Sequence, residues 1–229
     1  MYHKVHINRR DYLTVDVQQL KDQLEYLQKN YHIIRLSELM AHIQEGTPLP
    51  ESALLISFDD GYRNNYELAY PVFKSLQIPF AIFLVADFIG KSHLHDSDLQ
   101  QFLTVEQLED MQDLAEYGLH SNSHQDLMNL PENLWHSEIR KCISTLEALP
   151  LTVQKAWAYT YGNYPRKNNE LIEKLRLAFI DNKVTCAFRI GNRINKLPLK
   201  APYHIERIDI KGHKSMMSFK LKVRFGKLF

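Results

Sequence analysis

Apolar positions along the chain follow two patterns: short continuous runs, and longer segments with an apolar residue at every third or fourth position. The continuous runs at residues 54–58 and 79–86 are typical of strands buried on both faces of a sheet. Further strands are predicted at residues 155–159 and 184–188, and helices over residues 15–29, 37–44, 66–76, 104–116, 134–149 and 168–179. Strands that alternate with helices in this way form parallel sheets with crossover helices.

Local signals refine the ends of these elements. Ser37 is a plausible N-cap, Pro71 should kink or restart its helix, and Thr104 with Gln107 forms a capping box. The polar segment 91–101, which holds His93, His95, Asp96 and Asp98, is expected to be a solvated loop; the alternatives are that it flanks a substrate groove or binds a second metal. Strict alternation over residues 219–225 favours a strand.

Two adjacent carboxylates, Asp59 and Asp60, stand where the first apolar run ends, followed by Gly61. The carboxyl ends of such strands are where α/β enzymes place their chemistry. Neighbouring carboxylates repel each other unless one binds a cation and the other remains free as a base. An Asp-Asp-Gly turn without function is an equally good interpretation of this segment alone.

A second motif, His120 to His124, places two imidazoles four positions apart. This spacing lets both rings reach one cation. Ser121 stands where zinc proteases of the helical two-His type need Glu, which excludes that class. Two surface histidines are the alternative, because the chain has 11 of them. Together with one Asp, however, the pair predicts a metal site with positions left for water and substrate.

These motifs resemble those of the polysaccharide deacetylase family, whose catalytic domain is NodB-like. Residues 57–62 match the first motif, residues 120–124 the second, and residues 158–162 a third; residues 1–5 and 197–209 resemble its first and last strands. The resemblance implies an α/β fold, a distorted (β/α) barrel with about seven parallel strands. It covers nearly the whole chain, so we expect a single catalytic domain over residues 1–229 with a basic C-terminal segment at 211–229.

The resemblance also implies roles for individual residues. Asp59 would be the catalytic base, and the backbone N–H of Tyr161 would stabilise the oxyanion. Asp60, His120 and His124 would hold a divalent metal, zinc by default, although cobalt, nickel or iron suits the same ligands. The residues expected to contact substrate are Tyr62, Tyr159, His204 and Arg207.

The implied reaction removes an N-acetyl group from an amino sugar of a glycan or a lipid-linked precursor. Two alternatives stay open: a catalytically weak glycan-binding or scaffold domain, and a hydrolase of another small amide. They are motivated by departures from the family pattern. Ala158 stands where other branches have an Arg that orients the base, Thr160 replaces a Pro and should loosen the turn, and no late Leu-His-Asp segment supplies a general acid. His204 and Arg207 could substitute; the alternative is a salt-bridged surface strand.

Composition narrows the class of protein. With 229 residues, 45% of them hydrophobic, and a net charge of +1, the chain can bury a substantial core and is not a general nucleic-acid binder. It has no apolar run long enough for a transmembrane helix. The first residues lack a signal-peptide core, so a cytoplasmic location is expected, although a start at Met1 leaves the first strand short, as a truncated form of an exported protein would.

Cysteine content and the charge of the C-terminal segment add two expectations. Cys142 and Cys186 are interpreted as buried free thiols. Residues 211–229 carry six Lys or Arg and no acidic residue. This segment is expected to pack on the domain with its basic face in water; the alternative is peripheral contact with anionic lipid or a membrane-bound glycan assembly partner.

Overall fold

The computed structural model describes residues 1–95, 98–199 and 201–227. Its strands are β1 (Lys4–His6), β2 (Thr14–Asp16), β3 (His32–Ile33), β4 (Ala53–Leu54), β5 (Ser57–Asp60), β6 (Phe80–Leu84), β7 (Ser92–His95), β8 (Asp98–Gln101), β9 (Ala115–Leu119), β10 (Val153–Ala158), β11 (Cys186–Ile190) and β12 (Ile205–Arg207). Its α-helices are α1 (Val17–Asn30), α2 (Leu36–Glu45), α3 (Tyr70–Leu76), α4 (Val105–Asp110), α5 (Trp135–Glu147), α6 (Asn169–Asp181) and α7 (Met216–Phe225).

Six parallel strands form the main sheet, in the order β5-β6-β9-β10-β11-β12. Neighbours in the sheet follow one another along the chain, which is the arrangement expected when each crossover is right-handed and the sheet curls into a barrel. The prediction of a distorted α/β barrel is therefore confirmed, with six strands in the main sheet where about seven were expected.

The two edge strands of the curled sheet, β5 and β12, are bridged by the first residues of the chain. The N–H of Tyr2 donates to the Ser57 carbonyl at 2.8 Å, and the N–H of Asp59 donates to the Tyr2 carbonyl at 3.0 Å. On the other side, the N–H of Ile210 donates to the Met1 carbonyl at 3.0 Å. A mostly apolar cavity of about 890 Å³ lies along the same seam.

The sheet separates two layers of core. Large side chains fill the layer between the sheet and the helices, among them Trp157, Tyr117 and Phe58, each fully buried. The inward-facing layer combines three alanines with two aromatic rings, so that small and large side chains together fill the curled sheet. It contains Ala81, Phe83, Ala156, Ala158 and Phe188, with α2 packed against it.

Several predicted element ends agree with the structure. Pro71 lies in the first turn of α3, which follows a π-helical turn at Asn65–Ala69, so the proline restarts the helix. The capping box of Thr104 and Gln107 is present at the start of α4. Cys142 and Cys186 are buried free thiols, as predicted.

Two predicted helix boundaries were wrong. Helix α2 begins one residue earlier than predicted: Arg35 is its N-cap, and Ser37 instead bonds Glu116. The helix expected over 104–116 ends at Asp110, because residues 115–119 pair with β6 as a central strand.

The segment predicted as a polar loop over 91–101 contains the antiparallel pair β7 and β8, while Asp96 lies outside the described residues.

The C-terminal segment also differs from its prediction. Residues 216–225 form helix α7, although their strict alternation favoured a strand. Ser215 caps the helix, and Phe219 and Val223, four positions apart, are its buried side chains. Tertiary packing on α1 therefore outweighs the local period-two pattern. Within the part of the chain that the structure describes, no helix has the length and apolar character needed to cross a membrane.

Gly118 provides a test of how tightly the barrel interior is packed. It pairs with Phe83 across β9 and β6, and a Cβ atom at position 118 would lie 2.6 Å from the Phe83 ring and 3.0 Å from the Ala156 carbonyl oxygen. We expect Gly118→Ala to lower the free energy of unfolding by about 1–3 kcal/mol, because the ring must leave its position. Urea denaturation measures the change.

The control for this prediction is Phe83→Leu alone and in combination. If the clash with the ring is the cause, the double variant should lose clearly less stability than the sum of the two single changes. An unchanged urea midpoint for Gly118→Ala would contradict the packing described here.

Candidate active site

Asp59 and Asp60 lie at the carboxyl end of β5, at the edge of the sheet where the next strands also end. Asp60 and Gly61 have consecutive left-handed backbones, with φ of 74° and 76°. Asp tolerates this region better than most residues. The turn leaves both carboxylates buried but separates their surroundings, so that each has its own partners.

The loop from His120 to His124 is shaped by Glu138 of α5. One oxygen of the Glu138 carboxylate, Oε1, accepts hydrogen bonds from the Ser121 hydroxyl at 2.6 Å, from the Asn122 N–H at 2.9 Å and from the Ser123 N–H at 3.2 Å. Ser121 and His124 have φ of 70° and 61°. The loop is therefore held in an unfavourable backbone conformation by a half-buried acceptor, and the two imidazoles that flank it both face Asp60.

Three potential ligand atoms converge at one point. The Nε2 atoms of His120 and His124 lie 3.3 Å and 3.1 Å from Oδ1 of Asp60. Nδ1 of His120 lies 2.9 Å from the Ala158 carbonyl oxygen, which only accepts, so Nδ1 carries the proton and Nε2 is left to face Asp60. Oδ1 of Asp60 is buried without a well-formed hydrogen bond. This donor set fits a divalent cation, and the His120–carbonyl bond is the usual outer support of a metal-bound imidazole.

The electrostatics of the cluster agree with its geometry. Burial alone would raise the pKa of Asp60, but the two imidazoles that face it hold that pKa well below its usual value. Burial opposes protonation of His120, yet the charges of Asp59 and Asp60 raise its pKa overall. Asp60 is thus held ionised among imidazoles that favour positive charge nearby, which suits a bound cation.

Asp59 is held by Arg207, the last residue of β12. The guanidinium donates two hydrogen bonds to the carboxylate, from Nη1 to Oδ1 at 2.6 Å and from Nη2 to Oδ2 at 2.8 Å, and both side chains are buried. Burial would raise the pKa of Asp59, but Arg207 lowers it below its ordinary value. The alternative of a salt-bridged surface strand is wrong for Arg207. A buried arginine from the opposite edge of the sheet orients Asp59, although position 158 has no Arg.

Thr160 ties the third motif to the histidine loop. Its buried hydroxyl donates to the Gln125 carbonyl at 2.9 Å, so the expectation that Thr160 loosens the turn was wrong. The next residue, Tyr161, has φ of 57°, and its hydroxyl lies 3.3 Å from Nδ1 of His124. Its side chain is 65% exposed, which leaves it at the entrance of the site.

Aromatic side chains form one wall of the site. The ring of Tyr62 stacks on Phe102 at 5.1 Å, and Phe88 lies 4.6 Å from Phe102 and 5.9 Å from His124, measured between ring centroids. Burial and the charge of Asp60 raise the pKa of Tyr62. His93 of β7 packs on Phe88, so the hairpin flanks the site. The sequence drew attention to Tyr62 but not to Phe88 or Phe102, which are apolar residues in unremarkable segments.

The structure does not bring Tyr159 or His204 to this cluster. The Tyr159 hydroxyl donates to the Tyr203 carbonyl at 3.0 Å, and its ring packs in the helix layer against Phe179. His204 precedes β12 and stacks on Tyr164, so it lies at the end of the strand opposite to Arg207. Tyr159 faces the helix layer because side chains alternate between the two faces of a strand, and His204 is too far from the carboxyl end of β12 to reach the site.

His3 is the residue that the sequence analysis missed. The charges of Asp60 and Asp59 act on it, but burial dominates and lowers its pKa. Tyr2 forms a parallel β-bridge with Phe58 of β5, and its hydroxyl donates a hydrogen bond to Gln23 in the helix layer. Because side chains alternate along an extended segment, His3 faces the opposite side, toward the carboxylates. This alternation along the first residues is the sequence signal that could have identified His3.

The Asp59–Arg207 pair leads to a prediction about stability. Arg207→Met should lower the free energy of unfolding by about 3–5 kcal/mol at pH 7, because it leaves a buried carboxylate unpaired. A carboxylate with a depressed folded-state pKa stabilises the fold above its unfolded pKa of about 4, and this contribution is lost as the pH falls through the lower folded value. The deficit should therefore shrink on acidification, as measured by urea denaturation between pH 7 and pH 3.

The matched control is the double variant Asp59→Asn/Arg207→Met, which leaves no unpaired charge. It should recover much of the stability that Arg207→Met loses. A deficit in Arg207→Met that did not depend on pH would show that the cause is lost packing instead.

Comparison with known proteins places this geometry in a family. A family model for polysaccharide deacetylase matches residues 46–180. A poly-beta-1,6-N-acetyl-D-glucosamine N-deacetylase of Staphylococcus epidermidis is 26% identical over 163 residues, which are 71% of this chain and 53% of that protein. The chain spans 60% or less of the length of three curated relatives that it matches.

Two solved structures share the fold over almost their whole length. The Streptococcus pyogenes deacetylase PplD, in complex with acetate, superposes with a TM-score of 0.78 at 17% identity and covers 97% of this chain and 96% of that one. IcaB from Ammonifex degensii gives 0.76 at 22% identity, with 97% and 95% covered. Since the family model matches more than half of the 229 residues, the chain belongs to the polysaccharide deacetylase family.

Proposed function

We propose that this chain is a metal-dependent N-deacetylase that hydrolyses the acetamide of an amino sugar in a glycan. One observation carries the proposal: an ionised, buried carboxylate, Asp59, lies beside a second cluster of Asp60, His120 and His124 whose ligand atoms converge. Base and metal ligands are thus separate groups, so that one carboxylate can remove a proton from water while the other binds the metal.

Each residue of the site has a separate role in the proposed reaction. Asp60, His120 and His124 would hold the metal, which when bound polarises the acetamide carbonyl and lowers the pKa of water. Asp59, oriented by Arg207, removes a proton from the attacking water. The backbone N–H of Tyr161 stabilises the negative charge that develops on the carbonyl oxygen. The carbon–nitrogen bond then breaks, and the leaving nitrogen takes up a proton to give acetate and a free amino sugar.

His3 is the group we assign to that second proton transfer: burial lowers its pKa, so its imidazole starts neutral, takes up the proton that Asp59 removes from water and passes it to the leaving nitrogen. It is the imidazole near Asp59 and Asp60 that is not committed to the ligand cluster, and its position supplies what the absent Leu-His-Asp segment supplies in other branches. This assignment replaces His204, which lies at the other end of β12.

The substrate is proposed to contain β-1,6-linked N-acetylglucosamine, because relatives such as the Staphylococcus epidermidis protein carry that polymer in their names. The aromatic wall of Tyr62, Phe88 and Phe102 supports this choice, since sugar rings stack on aromatic faces. Zinc is the proposed metal; cobalt, nickel and iron suit the same two imidazoles and one carboxylate.

The two alternatives are a glycan-binding domain without turnover and a hydrolase of small non-glycan amides. The geometry favours turnover, because Arg207 restores the orientation of Asp59 that the sequence had left in doubt. An assay of small formamides and acetamides beside the glycan tests the second alternative, which predicts that the small amides are hydrolysed in preference to the glycan.

The first activity prediction concerns the metal and the base. Release of acetate from oligomers of β-1,6-linked N-acetylglucosamine should stop on treatment with a chelator and return on addition of Zn²⁺. Asp59→Asn should lower kcat about 10²- to 10⁴-fold, since proton transfer by a positioned side chain contributes that much. His120→Ala/His124→Ala should lose both metal content, measured by mass spectrometry of the protein, and activity.

Acetate release that persisted in the His120→Ala/His124→Ala variant would overturn the proposal. Glycan binding without acetate release under any of the four metals would favour the binding-domain alternative.

The second activity prediction separates His3 from His204. His3→Asn should lower kcat by about 10²-fold or more, because the leaving nitrogen loses its proton donor, while zinc content stays at the parent level. His204→Asn is the matched control and should retain parent kcat. Equal losses in both variants, or loss of zinc in His3→Asn, would contradict the assignment.

A further inference from the structure

Helix α7 is apolar on two faces, and only one of them is covered. Phe219 and Val223 are buried, and the Phe219 ring packs edge-on against Tyr26 of α1 at 6.2 Å. On the other face, Met217, Leu221 and Phe225 are 65%, 41% and 51% exposed. A spacing of four residues places these three side chains in one stripe along the helix.

A loop that contacts the end of the helix also carries exposed apolar side chains. The N–H of Lys227, just after α7, donates to the Asn192 carbonyl, which fixes the end of the helix against residues 192–194. Ile194 and Leu197 of this loop are 53% and 49% exposed. We call these five side chains the α7 patch: Met217, Leu221, Phe225, Ile194 and Leu197. A helix face with large exposed apolar side chains, close to a loop that carries more of them, is typical of a surface that another body covers.

Basic residues surround the α7 patch. Lys211 and Lys222 pair with Asp209. The remaining four cations of the helical segment have no carboxylate partner among the described residues: Lys214, Lys220, Arg224 and Lys227. The Arg224 guanidinium carbon lies 5.3 Å from the centroid of the exposed Phe225 ring, and the Lys220 ammonium lies 5.0 Å from the centroid of the Tyr26 ring of α1.

We propose that the α7 patch docks this chain on an anionic lipid surface, with Met217, Leu221 and Phe225 inserted at the level of the headgroups. An apolar stripe bordered by Lys and Arg is the arrangement that binds such surfaces, because burial of apolar area adds to attraction by anionic lipids. A second copy of the chain is a poorer occupant, since pairing two copies of this face would bring like charges together. The inference does not depend on the deacetylase activity proposed above.

The test is sedimentation of the full chain with vesicles. Vesicles of phosphatidylcholine with 30% phosphatidylglycerol should bind the parent chain at least tenfold more tightly than pure phosphatidylcholine, and raised salt should weaken the binding. Met217→Ser/Leu221→Ser/Phe225→Ser and, separately, Arg224→Glu/Lys227→Glu should each weaken binding roughly tenfold or more. These side chains are exposed, so thermal unfolding should remain close to that of the parent.

Each variant has a matched control elsewhere on the surface. Leu134→Ser/Leu177→Ser/Ile180→Ser removes three other exposed apolar side chains, and Lys29→Glu/Lys167→Glu makes the same change in net charge. Both controls should bind as the parent does. Equal binding to neutral and anionic vesicles, unchanged binding by the three-Ser variant, or a dimer in sedimentation equilibrium that this variant abolishes would overturn the proposal. Acetate release is measured separately and decides nothing here.

Discussion

The bidentate pair between Arg207 and Asp59 is the interaction on which the site depends. It joins β12 to β5, the two edges of a sheet that curls without closing by strand pairing. A buried guanidinium is stable only with its partner, so the pair fixes the relative position of both edges and keeps Asp59 ionised. The Phe83 ring, which lies 5.2 Å from the guanidinium carbon, packs against it, and Gly118 leaves room for that ring. Packing inside the barrel and the chemistry at its rim are therefore coupled.

The loop that carries the two histidines is also held in place by contacts with other parts of the fold. Asp60, Ser121, His124 and Tyr161 all have positive φ, which non-glycine residues avoid. Such conformations persist where surrounding hydrogen bonds over-determine them. Glu138 supplies three of these bonds from α5, and Thr160 links the third motif to the loop that carries His124. Four of the eight described non-glycine residues with positive φ surround the proposed metal, which accords with a site whose geometry is set before a ligand arrives.

The departures from the family pattern have structural replacements. The missing Arg at position 158 is met by Arg207 from another strand, and the proposed replacement for the missing late His is His3, from the start of the chain. Both replacements are possible because a curled sheet brings residues distant in sequence to one rim. In such a fold the active site forms at the carboxyl-terminal edge of the sheet, and a residue that assists catalysis can come from any strand that ends there.

The sequence by itself determined the fold class, the carboxylate pair at the end of β5 and the two imidazoles, because burial periodicity and short spacings are local signals. It also placed most helices, since caps such as Thr104 with Gln107 act within one turn. Only the tertiary structure decided that Arg207 faces Asp59, that Tyr159 and His204 do not reach the site and that His3 does. Those outcomes depend on which strand edges meet and which way a side chain points. The helix at 216–225 was decided in the same way, by its packing against α1.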